Sequence, residues 1–196
     1  MGEVTTRGRP RSERVRLAVL DAAADLLIEG GMAAATIEGI AARAGVSKAT
    51  IYKWWPSRGH LALDSFFTRT MDTIVVNPED SLAASLTAQL DALCVLFRDT
   101  PSGRLMRELA AAAQGDPEVR TALEENWLRP RRTVGAGLLT DAVRRGELRA
   151  DVDVDAAVDQ LFAPVYHRLL FGYAPLRDGL AGVLVAQLLS GLRAPA

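Results

Sequence analysis

Apolar residues recur along the chain at intervals of three and four, the spacing that places them on one face of an α-helix. In the first such stretch Val19, Ala23 and Leu27 follow this spacing, while Asp21 and Asp25 fall on the opposite side. The sustained alternation and tight-turn pairs that mark strands and hairpins are missing from the sequence. The pattern therefore predicts an all-α fold of about nine helices.

Gly, Pro and Asn-Pro positions divide the helical pattern into segments. A Pro inside the seventh segment, Pro130, should kink or break that helix because it removes one backbone hydrogen bond. We expect three helices to form an N-terminal head, residues 12–60, and the others a larger C-terminal regulatory body, residues 61–196. The predicted helices are 12–29, 36–44, 48–54, 57–75, 80–99, 102–113, 117–145, 155–172 and 178–192.

The segment 36–61 has the signals of two short helices joined by a tight turn. Thr36 and Ser47 are suited to cap the two helices, Gly45 suits the left-handed residue between them, and Pro56 stops the second. Two helices across a short Gly-containing turn are the helix-turn-helix unit, whose second helix enters the DNA major groove. An ordinary helical corner with a solvated face is the alternative that this pattern leaves open.

The second short helix has an inward and an outward side. Ile51 and Trp55 are expected to point inward, whereas the outward residues combine cations, a phenol and small side chains. Lysines neutralise phosphates or reach guanine, and a threonine meets a thymine methyl or accepts a hydrogen bond. The residues assigned to this outward side are Lys48, Ala49, Thr50, Tyr52 and Lys53.

The distribution of charge agrees with a DNA-contacting head. The net charge of the 196 residues is −1, but residues 1–60 hold nine Lys and Arg against six Asp and Glu, and the remainder holds fourteen against eighteen. Residues 1–11 are polar and are expected to form a disordered basic arm. Arg9 and Arg11 could enter a minor groove beside a docked helix, or this arm could be a solvated tail.

The stretch from Leu17 to Phe67 resembles the DNA-binding head of the TetR family of bacterial transcriptional regulators. By this resemblance Thr36 and Trp54 join the outward residues as DNA-facing positions, and Arg58 stands where the family often has a phosphate-contacting lysine. Trp54-Trp55 and Gly59-His60 depart from the usual pattern, so the base preference does not carry over. The matching residues are Leu26–Gly31, Thr36, Ile37, Ile40, Ala41, Ala44–Lys48, Thr50–Tyr52, Pro56–Arg58 and Leu61.

The resemblance also implies how such a protein works. Its members are homodimers through the last two long helices, here 155–172 and 178–192, and they usually repress transcription from a near-palindromic, double-stranded operator. A small ligand in the body shifts the helix 57–75 and releases DNA. From the residues alone, the last two helices have apolar side chains on more than one face, which favours an interface. The alternative is that both helices are internal to the core.

The ligand implied by the family would lie among the body helices and the first helix of the final pair. Few charged residues fall on these faces, so an apolar or amphipathic ligand is expected, although plain core is the favoured interpretation of each candidate, because apolar helical stripes usually belong to the core. His167 is expected to be half-buried as a core or interface histidine. The candidate lining residues are Leu90, Cys94, Phe97, Leu109, Trp127, Phe162 and Tyr166.

Other functions find little support in the sequence. Two histidines, one cysteine and no Gly-rich phosphate loop argue against an enzyme, a metal site or a cofactor site. No apolar stretch reaches the ~20 residues that span a bilayer, and the N-terminus lacks a secretory signal, so a cytoplasmic protein is expected. The rival hypothesis is a helical small-molecule-binding or interaction protein without specific DNA binding.

Overall fold

The computed structural model describes residues 9–70, 77 and 79–194, with the side chains of residues 12–68, 77 and 79–194. These residues form ten α-helices and one π-helical turn, and α7, the π turn and α8 run on without a break. The all-α prediction with about nine helical segments is therefore confirmed. The helices are α1 (Arg9–Ala34), α2 (Ile37–Ala44), α3 (Lys48–Tyr52), α4 (Arg58–Thr70), α5 (Leu82–Asp99), α6 (Ser102–Gly115), α7 (Pro117–Leu123), α8 (Arg129–Arg144), α9 (Val154–Phe171) and α10 (Leu180–Leu192).

The first helix is longer than its apolar pattern predicts. It begins at Arg9, so the expectation that residues 9–11 are disordered is wrong, while residues 1–8 lie outside the described residues. The expected stop at the Gly30-Gly31 pair appears as a break, because Gly31 takes φ 67° and ψ −159°. Glycine alone adopts this backbone region readily, which is why the break falls at Gly31. After it, helical structure resumes for one turn and ends at Ala34.

A π-helical turn lies just before Pro130 in the seventh predicted helix. Residues Glu124–Leu128 form a π-helical turn, and the backbone N–H of Arg129 donates to the carbonyl of Glu124, five residues back. A proline ring clashes with the carbonyl four residues before it, and a wider turn separates the two. The α-helical hydrogen-bond pattern is therefore interrupted next to Pro130, as the sequence predicts, while the helical structure continues through it.

The fourth helix begins where the sequence predicts. Ser57 stands before Arg58 and accepts from the backbone N–H of His60 at 3.4 Å. The helix is described to Thr70, and the predicted continuation to residue 75 lies outside the described residues.

The described residues fall into two compact units. The head unit comprises residues 9–70 and 108–122, and the body unit comprises residues 77, 79–107 and 123–194. In the head unit α1 packs against α2 and α4. The side chains that fill this core are fully buried and include Leu20, Leu27, Ile40, Ile51, Leu61 and Leu63.

In the body unit α5 packs against α8, α9 and α10. Its core includes the fully buried Leu86, Leu90, Trp127, Leu139, Val158 and Leu161. The connection between α9 and α10 is held by two arginines: Arg98 donates to the carbonyl of Leu176 at 3.1 Å, and Arg168 donates to that of Pro175 at 2.9 Å. The only pairing of strand type in the described residues is an isolated bridge between Leu148 and Arg193.

Candidate nucleic-acid interface

The helix-turn-helix is built from local signals that the sequence contains. Thr36 accepts a hydrogen bond from the N–H of Gly39 at 3.0 Å, and Ser47 accepts from the N–H of Thr50 at 3.1 Å. Gly45 takes the left-handed conformation with φ 66°, and nothing lies within 4 Å of the position that a Cβ would occupy there. The caps satisfy backbone donors at the start of α2 and α3, and the glycine turns the chain between them.

The inner side of α3 is fixed by burial and by a carboxylate. Ile51 is fully buried and Trp55 is 4% exposed, which confirms that both point inward. The indole Nε1 of Trp55 donates to Oδ2 of Asp64 on α4 at 2.9 Å, and Arg16 on α1 donates to the same oxygen at 3.3 Å. The sequence reasoning missed this contact, although a Trp where the family usually has Phe adds the N–H that makes it.

The outer side of α3 presents the predicted residues to solvent. Lys48, Ala49, Tyr52 and Lys53 are exposed, Tyr52 to 54%, and Trp54 is half-buried. The structure therefore brings these side chains together on α3 and the two residues that follow it, with the buried Ile51 and Trp55 on the opposite side. Such a helix can enter a major groove without losing its own support.

Two of these side chains already have partners on the protein. Lys48 donates to Oε1 of Glu38 at 2.8 Å, and this hydrogen bond lowers the pKa of Glu38 and raises the pKa of Lys48. The hydroxyls of Ser47 and Thr50 lie 2.9 Å apart. A phosphate must therefore compete with Glu38 for Lys48, and the methyl of Thr50 is left for an apolar contact such as a thymine methyl.

The cations that the sequence places next to this helix differ in their surroundings. Arg58 is exposed at the start of α4, and its Nη1 donates to the carbonyl of Met32 at 3.2 Å. A guanidinium has five N–H donors, so this bond leaves others for a phosphate. Arg43 on α2 is held by Glu29 through two bonds of 2.7 and 2.9 Å. The side chains of Arg9 and Arg11 lie outside the described residues.

The candidate ligand-lining residues of the body unit include an aromatic cluster. The ring centroids of Phe97 and Trp127 are 6.0 Å apart, those of Phe97 and Tyr166 are 5.7 Å apart, and Trp127 Nε1 donates to the Tyr166 hydroxyl at 2.8 Å. Burial raises the pKa of Tyr166 to about 12. Of the other candidates, Leu90, Cys94 and Phe162 are buried in the same unit, and Leu109 is buried in the head unit.

Two charge-bearing residues of the body unit depart from expectation. Arg131, which the sequence reasoning missed, is 5% exposed, and its guanidinium lies 3.3 Å from the centroid of the Trp127 ring. Burial lowers its pKa to about 10, so it stays cationic at neutral pH.

His167 is exposed, so the prediction of a half-buried histidine is wrong. The centroid of its ring lies 4.9 Å from that of Phe171 and 5.0 Å from that of Tyr173. Position 167 lies on the side of α9 that faces away from its buried positions.

Among the described residues we find neither a metal-binding cluster nor a membrane-spanning helix. These residues contain no group of three or more His, Cys, Asp or Glu side chains placed to hold a metal ion. None of their helices combines the length and apolar character needed to cross a bilayer.

Two models of the TetR family match this chain, one over its N-terminal part and one over its C-terminal part. A family model described as bacterial regulatory proteins, tetR family, matches residues 19–64, and one described as the tetracyclin repressor-like C-terminal domain matches residues 76–188. The uncharacterized HTH-type transcriptional regulator YdeS of Bacillus subtilis is 35% identical over 188 residues, which cover 96% of this chain and 94% of that protein.

Two further proteins match over nearly their whole length. The DNA-binding transcriptional repressor TetR of Mycobacteroides abscessus is 31% identical, with 98% of each chain covered. The crystal structure of the TetR family transcription regulator SCO0332 superposes with a TM-score of 0.79 at 43% identity, covering 93% of this chain and all of that one.

Proposed function

Since this chain belongs to the TetR family of bacterial transcriptional regulators, we propose that it is a ligand-responsive, dimeric repressor that binds a near-palindromic operator. It carries the family's helix-turn-helix domain and is a regulator rather than an enzyme. The observation that carries the proposal is the exposed face of α3, with two lysines and a tyrosine above a buried Ile51 and Trp55.

The residues of α3 and its surroundings divide into phosphate contacts and base contacts. Lys53, Tyr52 and Arg58 bind phosphates and set the position of the head on the duplex. Ala49 and the Thr50 methyl approach base edges in the major groove, and Lys48 reaches DNA when a phosphate or guanine replaces Glu38. Thr36, Trp54, Arg9 and Arg11 complete the proposed DNA-facing set.

The proposed dimer uses α9 and α10. Large apolar side chains lie exposed on these helices and their connection, with Leu170 at 43%, Phe171 at 72%, Tyr173 at 61% and Val183 at 41%. A groove of about 630 Å³ on the same helices is lined in part by Ala163, Pro164, Leu184 and Leu188. An apolar patch of this kind marks an interaction site, and a two-fold axis through it would pair α9 and α10 with their copies in a four-helix bundle.

The proposed ligand is a small apolar or amphipathic molecule bound in the body unit. Phe97, Trp127 and Tyr166 form an aromatic cluster that we propose would line this site, with the buried cation of Arg131 beside it. Sites for small molecules are typically apolar with a few placed polar groups. Binding there needs to change operator affinity by only ~1–3 kcal/mol to regulate transcription.

The test is to select duplexes from random-sequence DNA with the purified protein and to measure their binding. We expect an inverted repeat whose half-sites lie about one helical turn apart, ~34–36 Å. A Tyr52→Ala, Lys53→Ala double variant should bind at least about tenfold more weakly. Because it removes one lysine, the slope of log affinity against log salt concentration should become shallower by roughly one. Arg145→Ala, which removes an exposed cation of the body unit outside α9 and α10, is the control.

The same measurement distinguishes the proposed repressor from a helical protein without specific DNA binding. A helical small-molecule-binding or interaction protein would enrich no sequence, and its weak DNA binding would be insensitive to the double variant. Full binding by that variant to a selected duplex would remove the assignment of the α3 face.

A further inference from the structure

One residue in the head unit has both of its backbone polar groups held by side chains from other helices. The N–H of Met32 donates to Oε2 of Glu108 on α6 at 2.5 Å, and its carbonyl accepts from Arg58 at the start of α4 at 3.2 Å. Met32 directly follows the break at Gly31, and the N–H of Ala35 then donates to the Gly31 carbonyl at 3.2 Å. Glu108 therefore closes the open start of this last helical turn.

The fit between Gly31 and Glu108 is close. A Cβ added at Gly31 would lie 2.7 Å from Oε2 and 2.9 Å from Cδ of Glu108. The carboxylate thus occupies the space that any other residue type would need, beside a backbone conformation that glycine alone adopts readily. Its charge-assisted bond to a backbone N–H is among the stronger hydrogen bonds in proteins.

The turn that Glu108 holds leads directly into the DNA-facing surface. The N–H of Thr36 donates to the carbonyl of Ala34 at 2.8 Å, and Thr36 then caps α2. On its other side Met32 holds Arg58, which we assign to a phosphate. We propose that Glu108 is a positioning residue for operator binding, which fixes Met32 so that Thr36 and Arg58 are presented to DNA in the right register.

Two neighbouring contacts join the same parts of the head unit. A Cβ at Gly59 would lie 2.7 Å from Cγ2 of Val119 on α7, and His60 Nε2 lies 3.9 Å from Glu118 Oε2. Gly59 and His60 are two of the positions where this chain departs from the usual pattern of its family. The segment 108–122 thus contacts the start of α4 directly and through Met32, and a shift of α6 that withdraws Glu108 would disturb the DNA-facing surface.

The proposal rests on the proposed operator binding, and its test has one arm that needs DNA and one that does not. Without DNA, Glu108→Ala should raise the amide exchange rate of Met32, measured by NMR, by roughly tenfold to a hundredfold. Exchange in the centres of α1 and α4 should stay unchanged. With a duplex selected by the wild-type protein, Glu108→Ala should weaken binding by about fivefold or more and reduce the salt dependence.

Two further variants control the experiment. Glu108→Gln keeps an acceptor for the Met32 N–H and should restore both exchange protection and affinity to within about threefold of wild type. Glu125→Ala removes an exposed carboxylate from the π turn and should change neither. Unchanged Met32 exchange, or unchanged affinity with unchanged salt dependence, would overturn the proposal. So would a uniform rise of exchange over the whole head, which marks general unfolding. If the wild-type protein selects no DNA, the proposed function fails while the exchange arm still tests the Glu108 contact.

Discussion

Trp55, three residues after the end of α3, donates its indole N–H to Asp64 on α4, 2.9 Å away. The contact joins the segment that follows α3 to α4, and the two residues are nine positions apart in the chain. A phenylalanine at position 55 would keep the burial of the ring but would make no such bond.

Trp55→Phe should therefore lower the free energy of unfolding by about 1 kcal/mol, the usual net value of one hydrogen bond. Urea denaturation followed by circular dichroism measures the change. Trp54→Phe is the matched control, because Trp54 is half-buried and meets Trp55 edge-on with centroids 5.7 Å apart. Equal effects of the two substitutions would show that the bond to Asp64 adds no stability.

Gly31 and Gly45 offer a matched pair for the close fit of Glu108. Both have positive φ, but only Gly31 has a side chain in the space of a Cβ. Gly45→Ala should cost roughly 1–2 kcal/mol for the left-handed backbone alone. Gly31→Ala should cost more, about 2–4 kcal/mol, because the carboxylate must also release Met32. Thermal unfolding of both variants checks the order, and a reversed order would contradict the described contact.

Phe171 is the most exposed large apolar side chain among the described residues, at 72%. If α9 and α10 form the dimer, Phe171→Ser should raise the dissociation constant of the dimer by at least about tenfold. Sedimentation equilibrium over a range of protein concentrations measures it. Val95→Ser, which changes a 46% exposed side chain on α5, should leave the dimer intact. A wild-type protein that is monomeric at micromolar concentration would refute the interface.

Cys94 gives a prediction that depends on pH. Burial raises the pKa of its thiol to about 11, and the Asp91 carboxylate adds to the shift. In the unfolded chain the thiol ionises near ~8.5. The stability that the buried, protonated thiol of the folded protein contributes is therefore present below that pH and is lost as the pH rises toward about 11. At pH 8 the native thiol should react with alkylating reagents only as fast as the protein opens. Rapid alkylation of the native protein at pH 8 would show that Cys94 is accessible.

The sequence by itself determined the all-α class, the approximate positions of the helices and the local geometry of the helix-turn-helix. Thr36, Gly45 and Ser47 act within three or four residues of their own position, so their roles could be predicted from spacing and side-chain chemistry. The effect of Pro130 was predictable for the same reason, because a proline disturbs its own helix. The family pattern then added the assignment of α3 to DNA.

Only the tertiary structure decided which distant groups meet. The bonds from Trp55 to Asp64 and from Met32 to Glu108 join different helices, and the second spans 76 residues of sequence. Arg131 shows the same limit, since the helical pattern gives the side of a helix but not what covers it. Periodicity fixes a direction around one helix axis, whereas burial, partners and pKa values depend on the packing of several.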